Sequence, residues 1–152
     1  MKMEILPLNW SDLNTFDKWL KHHKKRGAMF FFNQITSNEK LWSWYKDDYL
    51  QPIDKEDINQ WLIFWFNGKR IGAANYNGCN LECEVLIFMA PRWKNKGLGS
   101  IFLFLSEKWM RKKYPKLDAV WADIEYNNIA SIKTFRGLGY KKIPGGDYYK
   151  YL

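Results

Sequence analysis

The spacing of apolar residues changes period several times along the chain, and each change marks an element. Met3 to Leu8 has the make-up of a short opening strand. Ser11 can cap a helix running to about Lys25, with Leu13, Phe16, Leu20 and His23 recurring on one face. Leu41, Trp44, Tyr45 and Tyr49 repeat that spacing and predict a second helix over Asn38 to Tyr49. Pro52 and the acidic run from Asp54 to Asp57 read as loop. The period then shortens: Trp61 to Phe66 is continuously apolar, Asn67-Gly68 is a hairpin signal, and Ile71 to Tyr76 returns as the partner strand. Asn77-Gly78 reads as a second turn, leading into a third strand over Leu81 to Ala90.

Helical spacing resumes from Leu98 to Tyr114 and stops at Pro115. Leu117 to Ile124 reads as a strand. Asn128 to Leu138 reads as a helix closed by Gly139. Tyr140 to Ile143 and Tyr148 to Leu152 finish as short strands around Gly145-Gly146. The predicted order is β-α-α-β-β-β-α-β-α-β-β: one α+β domain over residues 1–152, without repeats or a linker.

Bulk properties narrow the classes. Of 152 residues, 47% are hydrophobic and 18% aromatic, enough to build a core and too many for a disordered segment. The first ten residues lack the pattern of a secretory leader, and the longest apolar runs have strand length rather than membrane-span length. These features predict a cytoplasmic protein without a membrane partner. The net charge of +8 suits an acidic partner without naming one, and no nucleic-acid motif accompanies it. The basic run from Lys21 to Arg26 falls where a helix ends and complements its dipole. His22 and His23 belong to that charged segment and read as solvated or partly packed. Cys79 and Cys83 have no second pair to complete a zinc site and read as free buried thiols; no metal is expected.

The chemistry concentrates between the third strand and the next helix, in the stretch WKNKGLGS, Trp93 to Ser100. A helix start presents amide N–H groups without intrahelical partners, and its dipole favours an anion. Gly97 and Gly99 remove side chains that would hold an anion off, while Lys94 and Lys96 add positive charge. A diphosphate suits such a loop. The P-loop lacks its Gly-Lys-Ser/Thr ending here, and the dinucleotide fingerprint lacks its third glycine, since Phe102 stands there. Both also need a parallel sheet, whereas the preceding strands read as hairpins.

The loop resembles the first hallmark of the GNAT (Gcn5-related) N-acetyltransferases, [R/Q]-x-x-G-x-[G/A]. KNKGLG fits it with Lys94 in place of Arg or Gln, after a strand ending in Met89-Ala90-Pro91. NNIASIKTFRGLGY resembles the family's second block, with Asn128, Ala130, Ser131, Ile132, Gly139 and Tyr140 in matching places. The likeness is good over about residues 60 to 143 and holds only in outline before them.

The resemblance implies acetyl transfer from acetyl-CoA to an amine. It implies that the backbone at Met89 pairs with the pantetheine arm, that Lys94, Asn95, Lys96, Gly97, Leu98, Gly99 and Ser100 hold the pyrophosphate, and that Asn128 and Ser131 contact the cofactor. Lys133 is either a further cofactor contact or a solvated helix residue. Glu84, on the central strand, is the leading general base, ahead of Glu125 and Glu82. Many members of the family carry a tyrosine as acid where this chain has Phe135, leaving water, Tyr126 or Tyr148 to protonate the leaving thiolate.

The same resemblance assigns the acceptor site to the first two helices and the closing hairpin, where Trp42, Trp44, Tyr45, Tyr49, Tyr148 and Tyr149 are either ligand walls or core. The expected acceptor is a small-molecule amine, such as an amino sugar or a nucleotide-linked amino sugar, with the basic surface leaning toward the latter. A protein N-terminus or lysine is the alternative acceptor, and a nonenzymatic acyl-CoA sensor the alternative class. The expected assembly is a monomer or homodimer.

Overall fold

The computed structural model describes residues 1–25, 38–51 and 56–152. Its contacts divide the chain into two compact units: Met1–Pro7 with Asp54–Leu152, and Leu8–Ile53.

The larger unit is built on one seven-stranded sheet. Its strands are β1 (Met3–Pro7), β2 (Asp57–Phe66), β3 (Lys69–Cys79), β4 (Glu82–Met89), β5 (Ala119–Ala122), β6 (Lys141–Lys142) and β7 (Tyr148–Tyr151). They lie in the order β1-β2-β3-β4-β5-β7-β6. Every pairing is antiparallel except that of β4 with β5. Two helices belong to this unit, α3 (Leu98–Lys113) and α4 (Ile129–Gly137). The predicted element order and fold class are those observed.

The hairpin between β2 and β3 turns at Asn67-Gly68, where both residues have positive φ, 46° and 75°. That is the backbone of a two-residue hairpin turn, and few other dipeptides adopt it at so little cost. The second predicted turn, at Asn77-Gly78, is corrected: β3 continues through Cys79, and Asn80 and Leu81 make the reversal. Gly78 is needed for close approach instead, because a Cβ there would lie 2.4 Å from the Glu82 carbonyl oxygen. The expected loop before β2 also shortens, because Asp57 pairs with Cys79 and extends the ladder beyond the apolar run. Pro52 to Lys55 lie outside the described residues.

Alternation sorts β4 into two faces. Cys83 and Val85 enter the core with Phe102, Leu103, Met110, Val120, Phe135 and Tyr140, and Ile87 and Met89 pack against it. Glu82 and Glu84 point the other way. Cys83 is buried and unbridged, as expected, and burial pushes its thiol up to about 12, so it is a neutral packing group near pH 7. Cys79 is also unbridged but exposed, which corrects its expected burial: it ends β3 beside the turn.

A small polar network crosses this core. Tyr140 donates to Glu107 Oε1 at 2.6 Å, and Lys150 Nζ lies 2.7 Å from Glu107 Oε2. Both contacts need a buried acceptor. Glu107→Gln turns a donor toward the ammonium and is expected to cost about 1–3 kcal/mol, read as a lower midpoint in thermal or urea unfolding.

The smaller unit contains a 3-10 turn (Trp10–Asp12), α1 (Leu13–Lys25), α2 (Asn38–Ser43) and a π-helical stretch (Trp44–Tyr49). The cap is Asn9 rather than Ser11: the Asn9 side chain accepts from Ser11 N, and Asp12 accepts from Asn9 N, closing a capping box. Leu13 and Phe16 are buried as their spacing predicts, whereas the side chains of Leu20 and His23 lie outside the described residues. The helix expected over Asn38 to Tyr49 changes pitch at Trp44. The Leu50 amide bonds to Tyr45 O at 3.0 Å, a five-residue step that lets the Trp44 and Tyr49 rings stack with centroids 5.5 Å apart.

Candidate active site

The site begins where β4 and β5 part. Their parallel pairing covers only Glu82↔Ala119, Cys83↔Val120 and Glu84↔Trp121. Past that point β4 runs on to Met89 paired only with β3, in which Gly72 faces Met89. One edge of β4 therefore presents backbone N–H and C=O groups to a cleft instead of to a strand. Such groups need partners, and an extended amide-bearing chain can supply them. Met89 lies at the end of this stretch.

Just beyond, Pro91–Trp93 forms a 3-10 turn, and the chain enters α3 through Gly97. Asn95 and Gly97 both have positive φ, 57° and 75°. No side chain caps α3, so its first amides keep their donor capacity. A Cβ on Gly97 would meet nothing within 4 Å, and one on Gly99 only Thr134 Cγ2 at 4.0 Å. The glycines leave open space over a helix N-terminus, which fits a phosphate-bearing group. Thr134 lies on α4, so the loop of Lys94 to Ser100 and the helix carrying Ser131 lie together. Asn128 caps α4 by accepting from Ser131 N at 3.3 Å. Its oxygen thus serves the helix, while its side-chain NH₂ remains as a donor.

Glu84 sits on β4 at the start of the cleft and is half-buried. Burial raises its pKa above the ordinary carboxylate value, and the charges of Asp123 and Asp147 raise it further. Glu82 is exposed and accepts a hydrogen bond from the Tyr149 hydroxyl at 3.0 Å. Glu125 is exposed, and its carbonyl accepts from Asn128 N at 2.9 Å in the turn before α4.

The register also places beside Glu84 residues to which sequence reasoning gave no role, Trp121, Asp123 and Asp147 among them. Asn77, Glu84, Trp121 and Tyr149 stand side by side across four strands. Asp123 and Asp147 each lie two residues along from this row. Alternation in AVWADIEY already separated Trp121 and Asp123 from the core residues Val120, Ala122 and Ile124, so one signal was present. The partnership with Asp147 depends on strand pairing and had none.

Phe135 is buried edge-on to Tyr140 and offers no proton. Tyr126 is 89% exposed, and Tyr148 is in the core with the Arg136 guanidinium over its ring. Tyr148 and Tyr45 are therefore packing residues rather than ligand walls.

A sheet that parts beside an uncapped glycine entry to a helix suits an acyl-CoA-dependent N-acyltransferase. The chain belongs to the acetyltransferase (GNAT) family, whose model matches residues 17–140. Acetyl-CoA is its acetyl donor.

Among solved structures, the spermidine N-acetyltransferase of Vibrio cholerae in complex with CoA and spermine superposes with a TM-score of 0.80 at 13% identity, over 98% of this chain and 95% of that one. The ribosomal-protein-alanine N-acetyltransferase of Brucella melitensis gives 0.77 at 18%, over 98% and 99%. An aminoglycoside acetyltransferase in complex with coenzyme A and kanamycin gives 0.74 at 14%, over 99% and 95%. At these identities the likeness is one of fold. No curated relative matches the chain by sequence.

Proposed function

We propose that the protein transfers an acetyl group from acetyl-CoA directly to the primary amine of a cationic small molecule, such as an amino sugar. The observation that carries this reading is the end of β4–β5 pairing at Glu84, which puts a carboxylate of raised pKa at the mouth of the cleft.

Acetyl-CoA supplies an activated thioester carbonyl. The unpaired edge of β4 at Met89 and the amides of Gly97 to Ser100 hold and orient it, with Lys94, Asn95 and Lys96 beside the phosphates and Asn128 and Ser131 on the facing helix. An acceptor amine arrives as an ammonium ion and attacks only after losing a proton. Glu84 takes that proton, directly or through a water, and its raised pKa makes it a better acceptor than an ordinary glutamate. Glu125 is the alternative base. With Phe135 unable to donate, water returns a proton to the departing sulfur. Most of the acceleration comes from holding amine and thioester together.

The carboxylates around Glu84 support a cationic acceptor over a nucleotide-linked sugar, whose phosphates they would repel. The cytoplasm is the proposed location. The structure describes no helix long and apolar enough to cross a membrane.

The test is acetyl-CoA binding by calorimetry, followed by thiol release with kanamycin, glucosamine, a UDP-linked amino sugar, spermidine and an N-terminal peptide as acceptors. The expected result is binding, with turnover on a cationic amine and little on the UDP-sugar. Turnover on the peptide alone would make a protein the acceptor, and binding without turnover would leave a sensor.

A further inference from the structure

We propose that Asp123 and Asp147 are positioning residues that act through Glu84, using their charge to set how tightly it holds the proton it receives. The proposal rests on the assignment of Glu84 as the base, and its geometry comes from the strand register.

Trp121 on β5 pairs with Glu84 on one side and with Tyr149 on the other. Side chains two residues apart on an extended chain share a face. Asp123 therefore follows Trp121 on the face of Glu84, and Asp147 precedes Tyr149 on the same face. The β5–β7 ladder ends at Ala122↔Tyr148, so Asp123 directly follows its last pair on one chain segment and Asp147 directly precedes it on the other. Glu84, Asp123 and Asp147 thus all lie where β4 leaves β5. Asp123 is exposed, while Glu84 and Asp147 are half-buried.

The cross-strand neighbours of Glu84 carry no positive charge. On β3 the neighbour is Asn77, which is uncharged. On β4 it is Glu82, already bonded to Tyr149 of β7. Lys141 of β6 stands opposite Tyr149, three strands from Glu84 and so about 14 Å away at ordinary strand spacing. Among the described residues, no ion pair or side-chain hydrogen bond reaches the carboxylates of Glu84, Asp123 or Asp147. Negative charges beside the half-buried Glu84 carboxylate favour its protonated form. Its raised pKa, with burial as the first cause and Asp123 and Asp147 next, agrees in sign.

The experiment follows the Glu84 carboxyl itself, by NMR of the full chain labelled with ¹³C at the glutamate side-chain carboxyl carbon, with Glu84→Gln assigning the signal. The midpoint should fall in Asp123→Asn, fall in Asp147→Asn, and fall further in the double variant. In the unaltered protein, raising the salt concentration should lower it too, because screening weakens like-charge repulsion, and that arm needs no variant to fold. A midpoint unmoved by salt and by the double substitution overturns the proposal. Acetylation of an active acceptor, followed against pH, gives a separate readout. Its acid limb should move to lower pH in step with the NMR midpoint. A midpoint that falls while the acid limb stays fixed supports the electrostatic proposal and removes Glu84 as the base, so the two readings fail separately.

Discussion

Gly97→Glu is expected to abolish coenzyme A binding. Gly97 caps α3 with φ of 75°, and no side chain makes a capping hydrogen bond at the helix start. A glutamate there introduces bulk into space that is open within 4 Å of a Cβ, and a negative charge where the phosphates belong. Loss of affinity of about a hundredfold or more corresponds to about 3 kcal/mol, within the range of a like-charge juxtaposition. The left-handed backbone adds a folding cost of about 1–2 kcal/mol for a residue other than glycine. Gly97→Asn separates the effects, since asparagine tolerates that backbone and carries no charge. Calorimetry with coenzyme A, beside a thermal melt of each variant, reads both. Undiminished binding to Gly97→Glu would remove the phosphate assignment of the loop.

Glu84→Gln is expected to lower kcat by about 10²–10⁴-fold, the range supplied by a positioned general base, with coenzyme A affinity nearly unchanged. Rate against pH gives the sign. A base whose pKa is raised is free to accept a proton only at higher pH, so the acid limb of the unaltered enzyme should be displaced upward from the ordinary glutamate value. The variant should lose that limb.

Stability provides the control. The folded chain holds the Glu84 proton more tightly than the unfolded chain does. Folding is therefore favoured most below the unfolded pKa and loses that advantage as pH rises through the folded one. Glutamine cannot ionise, so the variant should be at least as stable near neutral pH, and a lost rate cannot be assigned to unfolding. An unchanged rate would move the role to Glu125 or to water alone.

The order of elements was legible because each announces itself locally. A helix shows its apolar face within a few turns, and Asn67-Gly68 specifies a hairpin through its own backbone preferences. Gly97 was legible for a similar reason, since the left-handed backbone at the entry to α3 favours glycine. Asn77-Gly78 shows the limit. The same dipeptide chemistry suggested a turn, but pairing with β4 holds Gly78 inside β3, and ladder hydrogen bonds outweigh the local preference. The pitch change at Trp44 was hidden likewise, because α and π turns place large aromatics on nearly the same face.

By itself, the sequence determined the α+β order, the glycine entry to α3, the family resemblance and the place of Glu84 on the central strand. The tertiary structure alone decided that β4 and β5 pair in parallel for a short distance and then part, and that Asp123 and Asp147 join Glu84 at that point. It also decided that Tyr45 and Tyr148 are packing residues rather than walls. The physical reason is range. Periodicity and turn chemistry act between residues a few positions apart, whereas the register between β4, β5 and β7 is set by pairing between segments far apart in sequence, and it is the register that makes charges neighbours.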